Sequence, residues 1–186
     1  MATTTPEVAK FRKRMQAQKG IGGQGTWGGR ENFNNWDEGR GALIQFLKDL
    51  TAMLKFLVEN RIPADSQDLF LECLTDVTAR VNAVITELDQ VKTEGHPTYV
   101  KLENAGLTGK PLRLKLREFY RFIKTSPVEA VLKMANTILG SLAEAFPPLE
   151  LVQEFKETVE TRLQHGGDNA IIALNLGGNE KWWEKK

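Results

Sequence analysis

Two histidines, one cysteine and a row of glutamates are the residues whose types would first suggest a reaction. His96 and His165 lie far apart, and neither stands in an HExxH arrangement or beside a cysteine pair, the spacings that bring ligands onto one metal ion. His96 precedes Pro97, a dipeptide expected in a solvent-exposed turn. Cys73 is the only cysteine, so no intramolecular disulfide forms, as suits a reducing compartment. It flanks an apolar stripe and is expected to be a small buried hydrophobe, with no neighbouring base to make it a nucleophile. Glu150, Glu154 and Glu157 follow i, i+4 and i+7 and so share a helical face. A di-metal carboxylate bundle would add Glu-x-x-His, which is absent here, so a solvated acidic face is expected. Gly20-Ile21-Gly22-Gly23-Gln24-Gly25 matches GxGxxG in letters alone. A dinucleotide fingerprint follows a strand and opens a helix, whereas a basic polar stretch precedes this one and Thr-Trp-Gly-Gly follows. These residues predict no catalytic group, no metal site and no cofactor, hence a protein that is not an enzyme.

Charge carries the stronger signal. The net charge is +1, yet residues 1–30 hold Lys10, Arg12, Lys13, Arg14, Lys19 and Arg30 against Glu7 alone, which leaves the remainder net acidic. A basic arm on an acidic body suggests an anionic partner for the arm. Glycines there let backbone amides approach phosphates, and Trp27 and Phe33 are placed to stack on bases. A second basic cluster is Lys110, Arg113, Lys115, Arg117, Arg121 and Lys124 against Glu118. Arg113, Arg117, Arg121 and Lys124 fall on one helical face, where they would either neutralise phosphates or lipid heads or pair with the acidic face at 150–157. Trp182 and Trp183, in a lysine-rich tail, are costly to leave in water and are expected to dock on the body or to hook a partner.

The elements that must hold these groups are helical. Apolar residues make up 41% of 186 residues, enough for one core. Leu43, Leu47, Leu50, Leu54 and Leu57 mark a helix over about 37–60. Asp65 or Ser66 is expected to cap a second helix reaching about Lys92. Its heptads, Phe70, Leu74, Val77, Val81, Val84, Leu88 and Val91, predict antiparallel packing on the first. Residues 93–109 read as a loop. A third helix starts near Pro111, and Ser126-Pro127-Val128-Glu129 signals a fourth. Val128, Val131, Leu132, Ala135, Ile138, Leu139 and Leu142 line it, and Pro147-Pro148 stops it. A fifth runs from Leu149 to Gln164 and ends at Gly166-Gly167. The expected architecture is all-α, a four- or five-helix bundle over 36–167, with a flexible basic Gly-rich N-terminal arm over 1–35, in which Lys10–Lys19 suits a short helix. A short tail over 168–186 follows. Residues 1–7 lead into charge, unlike a secretory signal, and no apolar run reaches transmembrane length, so a cytoplasmic location is expected.

Within the arm, Met15-Gln16-Ala17-Gln18-Lys19-Gly20-Ile21-Gly22-Gly23-Gln24-Gly25-Thr26 resembles the ribosome-binding arm of the nascent-polypeptide-associated complex β subunit family. In that family a basic helix runs into a similar glycine segment and then into a basic cluster. Here Trp27-Gly28-Gly29-Arg30 stands where that cluster would be. The resemblance implies a shared docking arm, and the helical body is unlike the family's β-barrel. The expected partner is therefore RNA or the ribosome. Two alternatives are a self-associating coat or nucleocapsid subunit and a membrane-acting or adaptor bundle, the latter suggested by the apolar run Val131–Phe146.

Overall fold

The computed structural model describes residues 6–18, 33, 35–125 and 128–165. They form seven α-helices and no strand: α1 Pro6–Gln18, α2 Trp36–Arg61, α3 Ala64–Gln90, α4 Pro97–Asn104, α5 Gly109–Thr125, α6 Val128–Ala145 and α7 Glu150–His165. The all-α bundle is as expected, with two additions to the expected body. The sequence predicts a loop over 93–109, and α4 lies inside it. The arm assigned to 1–35 begins with α1, which seats Val8 and Phe11 in the hydrophobic core.

Helix α2 is the axis of the bundle, and α1, α3, α5 and α7 all pack on it. Its continuous apolar surface explains this: Leu43, Phe46, Leu47, Leu50, Met53, Leu54, Phe56 and Leu57 are all buried, and each large side chain removed from water contributes about 1.5–3 kcal/mol. Asn35 caps its start, its side-chain oxygen accepting from the Glu38 amide at 3.0 Å.

The α2–α3 pair is fixed at both ends by side chains that satisfy helix-end carbonyls. The Trp36 indole N–H and the Arg40 guanidinium both donate to the carbonyl of Val91, which ends α3. A cation at a helix C-terminus also complements the helix dipole. At the other end, the Gln67 amide donates to the carbonyls of Glu59 at 3.2 Å and Ile62 at 2.9 Å. The predicted heptad positions Phe70 to Val91 are buried. The expected cap at Asp65 or Ser66 is not observed: α3 starts at Ala64, Pro63 occupies the cap without a side-chain bond, and Ser66 donates its backbone N–H to Pro63.

Helix α4 is built by its ends. His96 is the N-cap, its Nδ1 accepting from the Thr98 amide at 3.1 Å, and Pro97 takes the first helical position. Gly106, at φ 72°, ends the helix. The Leu107 amide reaches back to Leu102 and the Gly106 amide to Glu103, the paired bonds of a Schellman motif. Leu102 and Leu107 are fully buried, and Tyr99 meets Trp36 edge-on at 5.0 Å. His96 is thus half-buried at a helix end and not in an exposed turn.

Helix α6 packs between α5 and α7. Val128, Val131, Leu132, Ala135, Ile138, Leu139 and Leu142 are buried as expected, so the apolar run that suggested membrane action is core. Among the described residues no helix is long and apolar enough to cross a membrane. Pro147–Leu149 forms a 3-10 turn between α6 and α7, and Phe70 of α3 meets Phe155 of α7 at 6.1 Å. Cys73 departs from its expected burial: it is exposed, because Phe70, Leu74 and Val77 take the inward positions and residue 73 falls about 100° from residue 74.

Candidate functional site

The charged residues singled out in the sequence divide among three settings. Helix α5 buries Leu112, Leu116, Phe119, Tyr120 and Ile123. Phe46 and Phe119 lock it to α2 edge-on at 4.9 Å. With the apolar side committed, the opposite side must face outward, and it is basic. Lys110, Arg117 and Arg121 are exposed, Arg113 is half-buried, and Leu114 lies among them at 44% exposure. Residues 113, 117 and 121 advance about 6 Å per step along the helix, so three guanidinium groups form a row on one face. Arg121 also lies over the Phe122 ring at 5.8 Å. Lys115 has a different role, since its Nζ donates to the carbonyl of Gly106 at 3.4 Å and ties α5 to the end of α4. The side chain of Lys124 lies outside the described residues.

The acidic row of α7 was one expected partner for this face. Glu150, Glu154 and Glu157 are exposed as expected. The Asn136 amide of α6 donates to Glu157 at 3.4 Å. Helix α6 packs against both α5 and α7.

The second setting is α1. Lys10 and Lys13 are exposed, whereas Arg12 is half-buried with its guanidinium 5.1 Å from the centre of the Phe56 ring, a cation–π contact that fastens α1 to α2. Glu7 reaches Lys55 of α2 at 3.5 Å. The third setting lies outside the described residues: Lys19, Trp27, Arg30, Trp182 and Trp183, together with the side chain of Arg14 and most of the segment resembling the ribosome-binding arm.

The groups that the sequence reading missed are buried and polar. Asp49 of α2 is 2% exposed; it accepts from Tyr120 Oη at 2.7 Å and from Gln45 Nε2 at 2.9 Å. Lys156 of α7 is 1% exposed. Burial of Arg61 at the end of α2 lowers its pKa by desolvation. Among the described residues no group of three or more His, Cys, Asp or Glu is placed to hold a metal ion. No family model matches the chain, and neither a curated protein nor a solved structure does.

Proposed function

We propose that this is a non-enzymatic helical binding protein that associates with RNA, ribosomal RNA included, through the outer face of α5 and the basic N-terminal segment. The observation that carries this reading is the row of Lys110, Arg113, Arg117 and Arg121 on the outward side of a helix whose other side is locked in the core. The helix backbone that carries these cations is already ordered, and cations that meet phosphates release the counterions condensed there. The resemblance at residues 15–26 supports a ribosomal surface as one form of that RNA.

The test is RNA affinity measured by fluorescence anisotropy across a salt series, with the combined charge reversal Lys110→Glu, Arg117→Glu and Arg121→Glu. These exposed positions leave the core intact. Three lost phosphate contacts should reduce the magnitude of the salt slope by roughly 2–3 and the affinity by at least tenfold at low salt. Unchanged affinity and slope would reject the reading. Truncating residues 1–30 is the poorer test, because it also removes Val8 and Phe11 from the core.

A further inference from the structure

A pocket of about 200 Å³ lies where the start of α2, α4 and the start of α5 meet, away from the basic row of α5 and independent of the RNA reading. Phe33, Trp36 and Tyr99 line it with Glu94 beside them, and Gly39 and Gly109 add no side chain. Drug-sized sites hold about 300–1,000 Å³, so this smaller space suits a compact head group.

The fold holds the rings in place. Trp36 is buried and its indole N–H is bonded to the Val91 carbonyl. Tyr99 meets it at 5.0 Å with the ring planes at 87°, and the corner between perpendicular rings is bounded by a face of each. Phe33 rests on α2, its ring 3.4 Å from where a Cβ at Gly39 would stand. Aromatic faces carry the negative part of the ring quadrupole. Charge at the rim has the same sign. Glu94 is exposed, and its carboxylate makes no ion pair among the described residues. Arg40, the cation beside Gly39, is bonded instead to the Val91 carbonyl at 2.8 Å and to Asp37 at 2.8 Å. Lys92 and Lys110 are exposed and do not line the pocket. The Asn35 and His96 side chains already accept from amides at the starts of α2 and α4. Asp37 and Glu38 stand in the first turn of α2, which offsets the attraction of a helix start for anions.

A complementary ligand is a cation with little need of hydrogen bonds. A primary ammonium is a strongly hydrated point charge with three donors, and aromatic rings do not replace its water. A fully methylated ammonium has no donors and spreads its charge over an apolar surface. We infer that the pocket binds a trimethylammonium group, through cation–π contact with Phe33, Trp36 and Tyr99 and charge attraction to Glu94. The same head group is offered by free choline and by a trimethylated lysine side chain of a protein.

Ligand-observed NMR titration of the full chain tests this with choline, its uncharged isostere 3,3-dimethylbutan-1-ol, inorganic phosphate, and a short trimethyllysine peptide with its unmethylated counterpart. The choline methyl resonance should move upfield over the ring faces. Choline should bind about tenfold more tightly than the isostere, which has the shape without the charge. Glu94→Gln, at an exposed position, should weaken choline binding roughly twofold to fivefold. Tyr99→Leu keeps an apolar side chain but loses the ring, and should weaken it at least about threefold and shrink the upfield shift. Phe33→Leu should act in the same direction without touching α4. A trimethyllysine peptide that binds more tightly than choline assigns a protein partner, and one that binds more weakly assigns the free small cation. No binding of choline or of the trimethyllysine peptide, equal binding of the isostere, or tighter binding of phosphate or the unmethylated peptide would overturn the inference. Arg117→Glu with Arg121→Glu should leave choline binding unchanged, so failure here is distinguishable from failure of the RNA reading.

Discussion

Helices α2 and α3 are almost equal in length, 26 and 27 residues, yet α2 buries sixteen of them and α3 six. Helix α2 meets neighbours around most of its circumference, whereas α3 presents one heptad stripe inward and leaves Leu69, Cys73, Asp76 and Arg80 on its surface. The difference shows where stability and polar specificity reside. A helix enclosed by four others must bury whatever polar residues it carries, and Asp49, Thr51 and Glu59 are buried in α2. A one-sided helix keeps its polar residues in water.

The largest expected effect follows from that enclosure. Phe46 is fully buried and meets Phe119 edge-on. Phe46→Ala should cost about 3–5 kcal/mol, since the enclosed site collapses only in part. Val84→Ala on the α3 stripe removes two methylene equivalents and should cost roughly 1–2 kcal/mol. Urea unfolding with a common m-value checks the pair. Equal losses would mean that α2 is not the more constrained helix.

A smaller effect isolates the polar part of the α2 core. Tyr120→Phe removes the hydroxyl that donates to Asp49 at 2.7 Å and should cost about 1–3 kcal/mol, because one partner of a buried pair is deleted. Replacing both, Asp49→Leu with Tyr120→Phe, should destabilise less than the sum of the two single changes. Additive losses in the same unfolding assay would show that the two residues act independently.

Much of the bundle was legible because periodicity reports burial. Leu43 to Leu57, the heptads of α3 and the stripe of α6 each repeat over several turns, and their inward residues are buried. Helix α4 escaped because eight residues supply only Thr98 and Leu102 as inward positions, too few for a period to emerge. Its capping signals, His96-Pro97 at the start and Gly106 at the end, were present but read as turn residues. Burial of Val8 and Phe11 escaped because two apolar residues within a basic segment carry no sustained stripe. The basic row of α5 was readable as shared spacing at 113, 117 and 121. The Asp49–Tyr120 pair was not, because its members are 71 residues apart and only tertiary packing brings them together.

The smallest effect tests whether the outer face of α3 does no more than meet water. Leu69 is 65% exposed, the most exposed large hydrophobic residue described. If that face is only solvated, Leu69→Ser should change stability by no more than about 0.5 kcal/mol and leave the mass in solution unaltered by light scattering. Single exposed apolar residues are normal on protein surfaces, and Asp76 with Arg80, paired at 3.4 Å one turn apart, keeps this face polar. A drop in mass on Leu69→Ser would instead assign the face to contact between copies of the chain. The contrast would then be redrawn, with α2 enclosed within one subunit and α3 covered only in the assembly.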